Sequence, residues 1–176
     1  MKTPDRNYRI LLVDDNPAIH EDFRRLLTTK EDAANTLDDE AAALFGLPEV
    51  TPNRAAKGDR FELESAMQGQ EALARVQEAC AKGRPYALAF VDMRMPPGWD
   101  GLTTILKLWD VDPALQVVIC TAYSDRSWAE VQAALPVRSR WLVLKKPFDK
   151  VELLQIAHVL VDKWHLEREQ ALVPQA

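Results

Sequence analysis

Four short apolar runs decide what this chain can fold into: Ile10-Leu-Leu-Val13, Ala87-Leu-Ala-Phe-Val91, Gln116-Val-Val-Ile-Cys120 and Trp141-Leu-Val-Leu144. Each has the length of a strand and is mostly continuous rather than alternating. A strand with no polar face has no wet face, so the runs predict strands buried between two helical layers, as in a parallel sheet. A fifth run, Phe61-Glu-Leu-Glu-Ser-Ala66, alternates apolar and polar residues. It predicts an edge strand open to water on one side.

Helical patterns separate these runs. Pro17 to Thr29 starts with Asn16 as N-cap and Pro17 at the first helical position. Gly69 to Lys82 carries Ala72, Leu73, Val76 and Ala79 on one face, and Gly101 to Val111 carries Leu102, Ile105, Leu106 and Trp109. Asp125 to Leu135 is closed by Pro136, and a last helix runs from near Asp149 to about Gln170. Strand and helix thus alternate five times, which predicts a three-layer α/β sandwich with a parallel sheet. The length, 176 residues, suits one domain with attachments. Two pieces read as attachments. Lys30 to Arg60 holds seven acids and four bases and is long for a connection in a compact α/β unit. Within it, Asp38 to Phe45 could form a short helix. The second is the far end of the last helix, from His158, which is expected to project beyond the fold towards a partner. The expected division is a body over residues 1–157, with an acidic insert at about 30–60, and an extended helix and tail over 158–176.

Charge and cysteine content narrow the function. Lys plus Arg is 22 and Asp plus Glu is 27, so 22 − 27 gives −5. That balance argues against a surface built to grip nucleic acid or an anionic membrane, since both need clustered cations. Cys80 and Cys120 are the two cysteines, too few for a disulfide framework or a cysteine-rich zinc site. They read as free thiols of a reducing compartment. Met1 to Asn7 is polar, and no stretch nears the ~20 apolar residues of a membrane span. A cytoplasmic protein without membrane insertion is expected.

The residues just past each strand are more telling. Asp14 and Asp15 come after the first, Asp92 after the third, Thr121 after the fourth and Lys146, with Pro147 behind it, after the fifth. Parallel strands end on one edge of the sheet, where ligands bind at the reversal of strand order. Three carboxylates crowded there repel one another. A divalent cation relieves that conflict, and hard oxygen ligands suit Mg2+, or Mn2+, better than zinc. Lys146 and Thr121 suit the oxygens of an anion. The set describes phosphoryl transfer, with an aspartate able to serve as nucleophile.

These segments resemble the CheY-like receiver domain of bacterial two-component response regulators. The resemblance is carried by Ile10-Leu-Leu-Val-Asp-Asp-Asn-Pro17, Phe90-Val-Asp-Met-Arg-Met-Pro96, Asp100-Gly101, Cys120-Thr-Ala122 and Lys145-Lys-Pro-Phe148. It implies a flavodoxin-like sheet in the order 2-1-3-4-5. It implies Asp92 as phosphoacceptor, with Asp14, Asp15, Asp92 and the main-chain carbonyl of Arg94 around Mg2+. Thr121 matches the hydroxyl that moves to hold the phosphoryl group, and Lys146 the lysine that pairs with it. The implied donor is a phosphohistidine on a sensor histidine kinase or phosphotransfer protein. The implied output is a conformational shift read by a second copy or a downstream module. On this reading the chain is a signalling domain, not an enzyme beyond its own phosphorylation and dephosphorylation.

Some positions depart from the family's pattern. The aromatic switch residue that often stands three before the lysine is Val143 here, so either Trp141 further back takes over its role or the site couples to the last strand differently. Lys145 and Lys146 face opposite ways on a strand, and the Pro147 register favours Lys146 for the site. The loop Met95-Pro-Pro-Gly-Trp-Asp100 is one residue longer than usual, and Arg94 and Tyr123 are bulky where phosphoryl lifetime is tuned. Asp100 reads as a helix cap rather than a ligand contact. His20, His158 and His165 read as surface residues of their helices. An alternative is a metal-dependent phosphatase with an aspartyl-phosphate intermediate. Such enzymes carry Asp-x-Asp after the first strand, whereas this chain has Asp14-Asp15-Asn16. No glycine-rich phosphate loop comes after the first strand, which argues against a nucleotide or flavin binder.

Overall fold

The computed structural model describes residues 7–28, 61–122 and 127–173. The insert at 30–60, with its expected helix at Asp38 to Phe45, and Tyr123, Asp125 and Arg126 lie outside the described residues. The elements are β1 (Arg9–Val13), α1 (Pro17–Thr28), β2 (Glu62–Ala66), α2 (Gly69–Ala81), β3 (Leu88–Asp92), α3 (Gly101–Val111), β4 (Gln116–Thr121), α4 (Trp128–Ala134), a 3-10 turn (Arg138–Arg140), β5 (Trp141–Lys145) and α5 (Lys150–Leu172).

All five strands are parallel, in the order β2-β1-β3-β4-β5. This is the flavodoxin-like three-layer sandwich. Alternate strand residues feed two cores. Leu11, Val13, Val91, Val117 and Ile119 meet α2, α3 and α4 on one face. Ile10, Leu12, Phe90 and Val118 meet α1 and α5 on the other. Every residue of β3 is buried, as its unbroken apolar run requires. β2 is the wet edge that its alternation predicted, shielded only at Ala66. β5 is a correction. Its apolar run reads as a strand buried on both faces, yet it forms the opposite edge, with Leu142 42% exposed. A strand's neighbours are set by sheet order, and the apolar content of the run does not encode that.

Local chemistry places the helix ends. Asp100 accepts a hydrogen bond from the Thr103 N–H at 2.8 Å, capping α3 as expected. Ser127 with Glu130 and Asp149 with Glu152 form reciprocal capping boxes that start α4 and α5. α5 differs from its expected form. Leu160, Val161 and Trp164 are buried against the body, and the Arg168 guanidinium lies 4.6 Å over the Trp164 ring. His165 Nε2 is 2.9 Å from the Asn7 carbonyl. Gln116, fully buried at the start of β4, donates to Glu167 and accepts from Lys163, both at 3.0 Å. The helix therefore stays docked through Glu167, one face buried and the other open to solvent, and every residue is exposed only from Arg168 to Val173. It does not leave the body at His158, where a projecting helix was expected to begin. Among the described residues, no helix is long and apolar enough to cross a membrane.

Candidate functional site

The sheet register aligns the strand ends. Val13 pairs with Ala66 and Val91, Asp92 with Cys120, and Thr121 with Lys145. The polar residues at and beyond the strand ends therefore meet at one edge. Asp14 is 1% exposed and Asp92 8%. One carboxylate oxygen from each of Asp14, Asp15 and Asp92 lies within 4.8 Å of the others. Lys146 Nζ donates to Asp14 Oδ2 at 3.0 Å and to Asp92 Oδ1 at 3.2 Å. Its backbone N–H donates to the Thr121 carbonyl at 2.9 Å, which carries the lysine into the site from just beyond β5. Lys145, one residue back, is exposed. Asp14 is held from several sides: its N–H donates to the Ala66 carbonyl at 3.1 Å, and its Oδ1 accepts from the Asn16 N–H at 2.8 Å.

Thr121 lies half-buried at the end of β4, its hydroxyl donating to the Ala122 carbonyl at 3.0 Å. The Arg94 side chain is exposed two positions after Asp92. The intervening Met93 is tied down, its N–H donating to Cys120 O at 3.0 Å and its carbonyl accepting from Gly101 N–H at 2.9 Å. Gly101 lets α3 close on this turn. A Cβ there would lie 2.6 Å from the Asp92 carbonyl oxygen.

The electrostatics come from the crowding. Burial and then the neighbouring Asp14 charge push the Asp92 carboxyl above its usual range, and Lys146 only partly offsets them. Burial disfavours the charged Lys146, but its bonds to Asp14 and Asp92 win and hold its ammonium above the ordinary lysine value. Asp14 and Asp92 thus share the Lys146 ammonium, with Asp15 close beside them. All the available donors are hard carboxylate oxygens, so the residues fit a small divalent cation such as Mg2+. Cys120 beside them is inert, its thiol pushed up to about 12 by full burial.

His20 belongs to the site's support, not to the surface as its place in the sequence suggested. It is 4% exposed, with Nε2 2.7 Å from the Asp14 carbonyl and Nδ1 2.8 Å from Ser65 Oγ. The signal was in the sequence: His20, Phe23 and Leu27 form the buried stripe of α1. The other two histidines differ from each other. His158 is exposed beside the Phe61 ring, and His165 is half-buried. Of the two alternatives for the missing aromatic, Trp141 is the one that the strand register disfavours. It pairs with Val117, at the opposite end of β5 from Lys145, and its ring packs tilted at 48° against the exposed Trp128, centroids 5.2 Å apart. It therefore does not stand beside Thr121 in the place of the missing aromatic. A cleft of about 470 Å³ opens beside Lys146, between Ile19, Asp22 and Leu26 of α1 and the Pro147-Phe148 turn.

Comparison with known proteins agrees with this architecture. The family model of the response regulator receiver domain matches residues 37–158. That span begins after β1, so the folded structure, rather than the sequence match, brings Asp14 and Asp15 to Asp92. No curated protein matches the chain. Among solved structures, it is similar to an adenylate cyclase from Rhodopirellula baltica at 23% identity and TM-score 0.64, over 94% of this chain and 95% of that one. It is similar to the signal receiver domain of an HD domain-containing protein from Pseudomonas fluorescens Pf-5 at 20% identity and TM-score 0.62, over 96% and 97%. It is also similar to a CheY-like response regulator receiver domain protein from Methanospirillum hungatei JF-1 at 20% identity and TM-score 0.61, over 92% and 98%. These likenesses carry the fold, and the family match carries the membership: the chain belongs to the response regulator receiver domain family of two-component signalling.

Proposed function

We propose that the chain is a phosphoacceptor switch in which Asp92 takes a phosphoryl group from a phosphohistidine on a sensor histidine kinase or phosphotransfer protein. The observation that carries this is the meeting of Asp14, Asp15, Asp92 and Lys146 at one sheet edge. An Asp92 carboxylate oxygen forms a bond to phosphorus as the donor's P–N bond breaks. The imidazole leaves with the electron pair and takes a proton from solvent. Lys146 is placed to pair with the new phosphoryl oxygens, and the Thr121 hydroxyl to turn from Ala122 towards them. Mg2+, with Mn2+ as a substitute, would be held by Asp14, Asp15, Asp92 and the main-chain carbonyl of Arg94, and would neutralise phosphoryl charge when bound.

The output on this reading is a population shift. Phosphorylation draws Thr121 and Lys146 inward, and the surface of α4 and β5 is recognised by a second copy or a downstream module. Two similar structures are named as an adenylate cyclase and as the receiver of an HD domain-containing protein, which supports a downstream module as reader. A receiver over 1–157 whose C-terminal helical extension over 158–176 packs back onto it, and a cytoplasmic location, belong to the same proposal.

The test is the intact mass of the chain after incubation with Mg2+ and acetyl phosphate, beside an Asp92→Asn variant. The expected result is one added phosphoryl group that requires the cation and is absent from the variant. Addition to the variant as well would remove Asp92 as acceptor.

A further inference from the structure

His20 sits where the β-ladder stops supporting the acidic pair. β1 ends at Val13, and the Asp14 N–H still reaches β2 through Ala66. The Asp14 carbonyl reaches His20 instead: Nε2 of that side chain lies 2.7 Å from it. A carbonyl oxygen only accepts, so Nε2 carries the hydrogen. Nδ1 is then the acceptor, and Ser65 Oγ at 2.8 Å donates to it. The same Ser65 oxygen accepts from Arg24 Nη2 at 3.3 Å. One tautomer satisfies every atom of this chain of bonds, and the ring is buried between α1 and β2. A buried carbonyl left without a donor loses its hydration with nothing in return, so the peptide has reason to keep this orientation.

That carbonyl belongs to the peptide joining Asp14 to Asp15. Fixing it fixes where the Asp15 backbone begins and how both carboxylates are presented towards Asp92. We propose that His20 is a positioning residue for the cation site: its Nε2–H locks the Asp14–Asp15 peptide, and Ser65 on β2 locks the ring. This rests on the reading of Asp14, Asp15 and Asp92 as a divalent-cation site. His20 itself touches neither cation nor phosphoryl group. It acts through the peptide it holds, as outer partners of metal ligands do.

The two nitrogens can be separated by substitution. Glutamine places its amide nitrogen near the Nε2 position and can still donate to the Asp14 carbonyl. Asparagine is shorter, reaches only towards Ser65 and leaves the carbonyl bare. Mg2+ affinity of the full chain is measured by titration calorimetry without any phosphodonor, with thermal unfolding run alongside to confirm folding. The expected result is His20→Asn binding Mg2+ about 10-fold more weakly than wild type, the lower end of the effect of losing such an outer partner, and His20→Gln staying close to wild type. A merely structural role would move both variants together. Equal affinity for the two, whether at the wild-type level or equally reduced, would overturn the proposal. Ser65→Ala, which leaves α1 intact and frees the ring, gives a second readout: weakened Mg2+ binding supports the proposal, and unchanged binding opposes it. A wild-type chain that binds no Mg2+ removes the cation site itself, which separates failure of the underlying reading from failure of His20 alone.

Discussion

Asp92 is a carboxylate held against its own preference. Burial and the Asp14 charge both raise its pKa, and the Lys146 ammonium offsets them only in part. An acid whose pKa is raised on folding binds its proton more readily in the folded state. Its contribution to stability therefore falls as pH climbs from the unfolded value, 3.8, through the raised folded value. Above that window the folded state carries the full cost of the charge. Replacing Asp92 with Asn removes this cost and keeps the Lys146–Asp14 bond. Without divalent cation, Asp92→Asn is expected to melt above wild type at pH 7, with the gap closing as the pH falls to the unfolded carboxylate value. Thermal unfolding across pH checks it, and a variant that melts below wild type at pH 7 would mean that the Lys146–Asp92 pair outweighs the repulsion. Lys146 runs in the opposite direction. Its raised value makes a contribution fully present below the ordinary lysine value of 10.5 and lost only as pH rises through the folded one, so it is constant across the neutral range.

Among elements, the approach of α3 to the end of β3 sets how Asp92 is presented. Gly101 opens α3, and a Cβ there would meet the Asp92 carbonyl oxygen at 2.6 Å and Met93 Cα at 2.9 Å. Both are backbone atoms of the acceptor turn, so the helix must yield. Gly101→Ala is expected to cost about 1–3 kcal/mol by overpacking, and to slow phosphoryl acceptance because the displaced turn carries Asp92 with it. Gly83→Ala is the control. Gly83 has φ +68° with open space around it, so the variant pays about 1–2 kcal/mol of backbone strain and leaves acceptance unchanged. Chemical denaturation together with acceptance rates from acetyl phosphate separates the two. Loss of acceptance in both variants would mean that stability alone, rather than the turn, limits the site.

For the whole molecule, α5 is the clasp that closes one face of the sheet. Its buried residues Leu153, Ala157, Leu160, Val161 and Trp164 form one continuous stripe, and Lys163 and Glu167 satisfy the buried amide of Gln116. Its far end packs beside Asn7 and Tyr8, which precede β1, so it lies at the end of the sheet away from Asp14. Trp164→Ala is expected to cost about 3–5 kcal/mol through the cavity it leaves. Hydrogen exchange over residues 158–172 should rise, while folded protein still accepts a phosphoryl group at Asp92. Unchanged exchange there would show that the helix is held by its polar bonds rather than by the indole.

The order of residues alone determined the strands of the central layer, because an unbroken apolar run has no wet face to present. It determined the helix starts, because Asp100 and Asp149 cap locally. It determined which residues crowd the site, because Asp14, Asp15, Asp92, Thr121 and Lys146 each stand at the end of a strand of one parallel sheet. The i, i+3, i+4, i+7 stripe of Ala157, Leu160, Val161 and Trp164 was also legible, and it outweighs the charges between those residues that suggested a projecting helix. Packing between distant segments set the rest. The exposure of Leu142 depends on β5 standing at the sheet's edge, and Trp141 faces Val117 because of strand register. The bond from His20 to the Asp14 carbonyl exists only because α1 lies over β2 where β1 runs out. Each is a contact between segments whose spacing is set by packing, and no local pattern of residues encodes it.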